Sequence, residues 1–234
     1  MNVNRKTFIL LSLLSLLFIT CKKQNDCVPP SLTITANASV YEGDALNLAA
    51  SSDAGATFSW TGPNNFTSTL QNPSIVNVSA AAGGDYSVTS KVGECEKTKT
   101  ITVDVLAKPS CTPTNNTITF FSTMNFSSIS CGIFPSGKFE MHGTGLQGDV
   151  NIQFYVNPLD KGNFVYDLST VDNNPNNAFI QIDISGVLSN WQATSGKLYV
   201  KIVNNKISAT FCSAIFGNLQ STSTKSGSGK LTCS

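Results

Sequence analysis

Seven cysteines, one histidine and a scatter of aspartates are the side chains of this 234-residue sequence with types suited to chemistry. No Cys-x-x-Cys pair occurs, and only His142 could join the thiols, so a zinc site of the usual Cys/His spacing is not expected. A serine or cysteine nucleophile would depend entirely on His142 as its base. That histidine lies in Glu140-Met141-His142-Gly143-Thr144-Gly145, with no Gly-x-Ser-x-Gly elbow nearby, and reads as an exposed residue at a strand end. Gly143-Thr144-Gly145 is too short for a phosphate loop and has no helix after it. Asp149, Asp160, Asp167, Asp172 and Asp183 are dispersed, and a glycosidase pair would require two of them to face each other across a cleft. The stretch Asp172-Asn173-Asn174-Pro175-Asn176-Asn177 is rich in oxygen but poor in carboxylates, so it reads as a solvated turn rather than a calcium site. No catalytic set, metal or cofactor is expected from these residues.

One cysteine stands apart. Arg5 and Lys6 precede an apolar run from Phe8 to Ile19, which is broken only by Ser12 and Ser15. A basic end before a short apolar run is the pattern of a secretory signal peptide, expected over residues 1–20. The run is well under the ~18 to 20 residues that cross a bilayer as a helix. It ends in Phe18-Ile19-Thr20-Cys21, followed by the polar Lys22-Lys23-Gln24-Asn25-Asp26. This ending resembles the lipobox of bacterial lipoproteins, although Thr20 is larger than the usual Gly, Ala or Ser. The resemblance implies a diacylglycerol on the Cys21 sulfur, cleavage before it, and a tether over residues 21–26. Two or three acyl chains, at ~0.8 kcal/mol per buried CH₂, hold a protein on a membrane where one does not. The implied address is the cell envelope, on the outer membrane. In Bacteroidota-type lipoproteins a charged segment after the cysteine directs display at the surface; here Asp26 is its only acidic residue.

Composition sets further bounds. Charged residues make up 12% of the chain and the formal net charge is +1. Arg5 and Lys6 would leave with the signal, so the mature chain offers no basic surface for nucleic acid. With Cys21 assigned to lipid, an even set remains: Cys27, Cys95, Cys111, Cys131, Cys212 and Cys233. In an exported chain that set implies disulfides.

The elements that must carry these residues are strands throughout. Over residues 27–107, short alternating runs such as Leu32–Thr35, Leu46–Leu48 and Thr98–Val105 are separated by Gly, Asp, Asn and Pro turns. Strands at ~8 to 12 residue spacing indicate a β-sandwich. The segments Tyr41-Glu42-Gly43-Asp44, Ser59-Trp60-Thr61-Gly62-Pro63-Asn64-Asn65-Phe66, Gln71-Asn72-Pro73-Ser74-Ile75 and Gly83-Gly84-Asp85-Tyr86 resemble the bacterial Ig-like/PKD-type fold. The resemblance implies Trp60 as the buried core tryptophan and Tyr86 as the corner tyrosine. Val88 stands where antibody-type domains carry the inter-sheet cysteine. In such a sandwich Cys27 and Cys95 fall at the same end, so a Cys27–Cys95 bridge is expected.

Residues 108–116 (Lys108-Pro109-Ser110-Cys111 through Asn116) read as a linker, and 117–234 as a second β-sandwich domain. Its strands are expected at Ile118–Phe120, Gly137–Met141, Val150–Val156, Gly162–Tyr166, Ala178–Ile184, Gly196–Val203, Lys206–Phe211 and Gly229–Cys233, with a tight turn at Asn204-Asn205 and a Ser/Thr/Gly loop from Gln220 to Ser228. The run Ser195-Gly196-Lys197-Leu198, then Ile207–Phe211 and Ser228-Gly229-Lys230-Leu231, loosely resembles C-terminal β-sandwich domains of uncharacterised Bacteroidota lipoproteins. Four cysteines allow three pairings. Cys111–Cys131 with Cys212–Cys233 is the leading expectation, and Cys111–Cys233 with Cys131–Cys212 the alternative.

These readings combine into a non-enzymatic, membrane-anchored envelope protein. Its Ig-like spacer or adhesion module would carry a second domain that binds glycan or protein. The alternative is a glycan-capturing or glycan-degrading component with its site in the second domain. An exposed aromatic platform of Trp191, Tyr155 and Tyr166, or paired carboxylates in a cleft, would favour that alternative.

Overall fold

The computed structural model describes residues 27–37, 39–170, 173–186 and 190–233. The signal segment, Cys21, the tether and Asp172 lie outside the described residues. The chain forms two β-sandwich domains, each around its own apolar core. Among the described residues no helix is long and apolar enough to cross a membrane.

In the first domain, β1 (Leu32–Ala36), β3 (Leu46–Ser52) and β6 (Ser74–Ile75) form one sheet. The second sheet runs β2 (Ser39–Tyr41), β8 (Cys95–Leu106), β7 (Gly84–Val92), β4 (Thr57–Gly62), β5 (Phe66–Ser68). All pairings are antiparallel except β2 along β8, which is parallel. Alternation places Leu46, Leu48, Trp60, Tyr86, Val88 and Val103 in the space between the sheets. Trp60 is fully buried and its Nε1 donates to the Leu70 carbonyl at 2.9 Å. Tyr86 is fully buried and its hydroxyl donates to the Ala82 carbonyl at 2.8 Å. Both aromatics thus satisfy their polar atom while burying the ring. Val88 fills the core. A 2.6 Å hydrogen bond between the Ser52 and Ser90 hydroxyls links the two sheets. Cys27 and Cys95 are bonded at the end of the domain where β1 begins.

The second domain is one continuous hydrogen-bonded sheet. Its path runs β10 (Thr123–Asn125), β9 (Thr117–Thr119), β19 (Thr224–Thr232), β18 (Lys206–Asn218), β17 (Lys197–Val203), β14 (Phe164–Leu168), β15 (Asn177–Ile184), β13 (Gly148–Phe154), β12 (Phe139–Gly145), β11 (Ser128–Ile133). A further strand, β16 (Asn190–Ser195), pairs with both β15 and β18. The path starts at β10 and ends at β11, and only Phe126 and Ser127 separate these strands in sequence. The sheet therefore wraps around its core until its two ends meet. Tyr166, Phe154, Phe211, Phe216 and Trp191 fill that core.

Several local devices allow the wrap. Asn204 and Asn205 both take positive φ (51° and 60°), giving the β17–β18 hairpin the tight turn that matches strand twist. β18 carries a bulge between Phe211 and Ala214, with Ser213 at φ 51°. Ile207, Ala209 and Phe211 face the core before the bulge, Ala214 and Phe216 after it, so the extra residue restores the inward face.

Three expectations need correction. The segment Thr224–Ser228 belongs to β19 rather than a loop. Its small residues have a packing reason. A Cβ on Gly227 would lie 2.9 Å from the Phe120 ring, and one on Gly229 would lie 3.0 Å from Phe211. Aromatic rings occupy the space that strand side chains usually fill. The cysteines of the second domain pair as Cys111–Cys212 and Cys131–Cys233, matching neither the leading expectation nor its alternative. Cys131 on β11 reaches Cys233 just beyond β19 because the wrapped sheet brings its two ends together. Cys111 is left to strap the interdomain segment to the β18 bulge, where its backbone N–H also points at the Cys212 sulfur, 3.1 Å away. Finally, His142 is not at a strand end; it lies mid-strand in β12 and is half-buried. The short helix α1 (Pro158–Lys161), capped by the Asn157 side chain, was also not anticipated.

Candidate functional site

Three places gather polar side chains. The first is the outer face of β12 and β13. Residues 140 and 142 alternate outward, opposite Gln153 and Asn151 across the strand pair. Glu140 is nonetheless only 4% exposed. One carboxylate oxygen accepts from Ser136 Oγ at 2.5 Å and from Gln153 Nε2 at 3.2 Å. The other lies 2.5 Å from His142 Nε2 and accepts from Asn151 Nδ2 at 3.4 Å. Phe134 stacks on the imidazole with ring centroids 4.4 Å apart. Burial pushes the Glu140 carboxyl up, but the hydrogen bonds from Ser136 and His142, the His142 charge and Asn151 outweigh it and hold the group below the usual glutamate value. Serine, glutamate and histidine meet here in the wrong order for a nucleophile. Ser136 donates to Glu140 rather than to His142, so the trio lacks the serine-to-histidine hydrogen bond of a triad. The cluster is a satisfied carboxylate lodged on a sheet face.

The second place is the set of aspartates. Asp149 and Asp183 are direct cross-strand neighbours on β13 and β15, which puts their Cα atoms about 5 Å apart. Both are exposed on the sheet face. Asp167 pairs with Lys197 at 2.5 Å, and Asp160 belongs to α1. Of the oxygen-rich loop, the described part receives an ammonium: Lys161 Nζ donates to the Pro175 carbonyl at 2.7 Å and to Asn176 Oδ1 at 2.8 Å. No three His, Cys, Asp or Glu side chains gather as a metal site among the described residues. Of the aromatics set out as a sugar platform, Trp191 and Tyr166 are in the core. Tyr155 sits under Lys138, with Nζ 4.0 Å from the ring centroid. The platform is not formed.

The third place is the junction between the domains. Tyr41, at the end of β2, reaches across to the second domain and is 4% exposed. Its hydroxyl lies 3.0 Å from the Phe164 carbonyl and 2.8 Å from that of Val200. Burial, with the nearby Tyr199, holds its phenol well above the usual tyrosine range. Ser39 Oγ donates to the Asn163 carbonyl at 2.8 Å, and Asn163 Nδ2 donates back to the Ser39 carbonyl at 2.9 Å. Asn163 Oδ1 accepts from the Ile202 backbone at 2.8 Å, so one side chain ties β2 to β17. Lys201 Nζ contacts both oxygens of Asp44 at 2.9 and 2.8 Å. The sequence offered a partial signal for this junction. Tyr41-Glu42-Gly43-Asp44 stood out, but as a mark of the Ig-like fold; nothing local identified Asn163 or Lys201 as its partners.

Beside these contacts opens a cavity of about 450 Å³. Its floor is the outer face of β17, β18 and β19, where Tyr199, Thr210 and Lys230 form one cross-strand row. The Tyr41–Asp44 turn forms one wall and the strapped segment from Lys108 to Pro113 another.

No protein-family model matches the chain, and no curated protein matches it. Among solved structures, an amphioxus IgVJ-C2 molecule shares 25% identity over 33% of this chain, which spans only 44% of that one, at a TM-score of 0.30. Murine CEACAM1b shares 13% over 70% of this chain and 97% of its own, at 0.31. The titin domains z1z2, in a complex with telethonin, share 14% over 89% and 98%, also at 0.31. These scores carry no argument about ligand or partner. The Ig-like character of the first domain is visible in its own strand order, its parallel β2–β8 pair and its buried tryptophan and tyrosine.

Proposed function

We propose that this chain is a non-enzymatic, lipid-anchored protein of the bacterial cell envelope, in which the Ig-like domain is a spacer that holds the second β domain away from the membrane as a binding unit for glycan or protein. The observation that carries the reading is the course of β8. This twelve-residue strand starts at Cys95, bonded to Cys27 where a tether would enter, and ends at Leu106 beside the interdomain segment. At ~3.3 Å per residue it separates entry from exit by about 40 Å. The junction supports the same reading, because Tyr41, Asn163 and the Asp44–Lys201 pair dock the second domain on the far end of the spacer rather than leaving it on a loose string. The crossed order of Ser136, Glu140 and His142 and the open exposure of Asp149 and Asp183 favour binding over catalysis.

The anchor is tested with the full chain expressed from its own start in a lipoprotein-processing bacterium. Cys21→Ser should move the protein from the membrane fraction to the soluble fraction. If the variant stays on membranes through a carbonate wash, the anchored reading is wrong.

A further inference from the structure

We infer that the junction cavity is a binding site for a small anionic saccharide, with a carboxylate-bearing sugar as its ligand class. The inference deepens the binding role proposed above and rests on it.

The charges around the cavity are unequally occupied. Asp44 takes Lys201 on both oxygens, and Glu42 keeps its charge while Oε1 accepts from the Ala80 backbone at 3.1 Å, so three lysines face two carboxylates and the lining is left with an excess of positive charge. Lys108 and Lys230 both line the cavity, and their ammonium groups have no hydrogen-bonding or ionic partner among the described residues. What a ligand meets is therefore a pair of available ammonium groups, which select for negative charge.

The rest of the lining selects for more than charge. Thr112, Ser208 and Thr210 bring hydroxyls, which pair with hydroxyls of a ligand as donor or acceptor. The Tyr199 ring, propped against Tyr41 with centroids 6.4 Å apart, offers an apolar face beside them. A volume of about 450 Å³ is far beyond one inorganic anion and falls in the ~300 to 1,000 Å³ range of small-molecule sites, which favour domain junctions. Cations, hydroxyls and one aromatic face together match a sugar ring bearing a carboxylate.

The cavity is also held open before any ligand arrives. Cys111–Cys212 straps one wall to the floor, and Tyr41 with Asn163 fixes the other. A preformed site avoids much of the ordering cost of binding.

Amide chemical shifts of the folded soluble chain (Lys22 onward) provide the test, with methyl glucuronide, methyl glucoside and sodium sulfate as probes. Glucuronide should perturb Thr112, Tyr199, Thr210 and Lys230, with the neutral glucoside and the sulfate both markedly weaker. The double variant Lys108→Gln/Lys230→Gln should keep its melting temperature and bind glucuronide about tenfold more weakly or worse. Lys225→Gln, whose ammonium lies 5.5 Å from the Phe121 ring outside the cavity, should bind as the parent does. No perturbation by glucuronide, equal perturbation by sulfate, or unchanged affinity in the double variant would each overturn the inference. The anchor and spacer reading is judged separately by the Cys21→Ser fractionation, so either can fail without the other.

Discussion

In the first domain the two sheets share no strand; Trp60 and Tyr86 between them, and one hydroxyl pair, hold them face to face. In the second domain every strand belongs to one hydrogen-bonded path that bends over its core and is fastened where its ends meet. The disulfides follow this difference. Cys27–Cys95 sits at one end of the first domain, outside the first strand, with Cys27 exposed. Cys131–Cys233 closes the sheet itself, and Cys111–Cys212 fixes the segment that enters it. The comparison sets two separate sheets held together by the side chains packed between them against one continuous sheet whose ends are tied.

The largest expected effect tests that contrast directly. Cys131→Ser/Cys233→Ser opens a loop with a sequence separation of 102, worth about 4–5 kcal/mol on chain entropy. Cys27→Ser/Cys95→Ser opens one of 68, but releases mainly the exposed start of the chain, and should cost less, about 2–3 kcal/mol. Calorimetry of the two double variants gives the order. Equal losses would mean that loop length alone decides, and the distinction between the bridge at the domain's end and the bridge that closes the sheet would fall.

Legibility in the sequence divides along the same line. Strands with their own alternation were readable: Phe179–Ile184 and Leu198–Ile202 announce themselves, and Asn204-Asn205 announces the turn between β17 and β18. The first domain was readable further, because its partners lie close in sequence and its turn residues repeat a known pattern. β16 and the first half of β19 were not readable. Gly227 and Gly229 look like loop residues until Phe120, Phe211 and Phe216 are seen pressing on them from across the core. The cysteine pairs failed for a related reason. Their separations of 101 and 102 residues are set by how the sheet closes, which no local pattern encodes. At the junction, Asn163 is an ordinary turn residue in sequence; only its three hydrogen bonds make it a fastener.

Acid should separate the domains next. Glu140 is the only carboxylate among the buried residues described, and it belongs to the second domain. Its folded value is lower than its unfolded value, for which 4.5 is the reference. The stability it supplies is therefore fully present above pH 4.5 and is lost as pH falls below that, through the folded value. The second domain should lose stability in this window. Glu140→Gln removes the charge that Ser136, His142 and Asn151 address and should cost about 2 kcal/mol at neutral pH, while flattening the acid limb. An unchanged acid limb in calorimetric melts from pH 7 to 3 would remove Glu140 as the cause.

The smallest effect sets the junction against the core. Tyr41 and Tyr166 are both buried tyrosines with phenols shifted upward by burial, Tyr166 to about 12. Each stays neutral in the fold, so each contributes stability that is present below pH 10.0 and fades as pH rises toward its folded value. Their hydroxyls differ. That of Tyr41 is shared between two carbonyls of the other domain, whereas that of Tyr166 has no partner among the described residues. Tyr41→Phe should thus remove the single proton shared between the Phe164 and Val200 carbonyls and cost about 1 kcal/mol, seen as weaker coupling between the domain transitions. Tyr166→Phe deletes an unpaired oxygen from an apolar core and should raise the stability of the second domain by up to about 1 kcal/mol. The two substitutions remove the same atom from the same residue type, so opposite signs would locate the difference in the partners alone. A loss of stability in Tyr166→Phe would mean that its hydroxyl is satisfied in solution, and that the core of the second domain is less dry than its wrapped sheet implies.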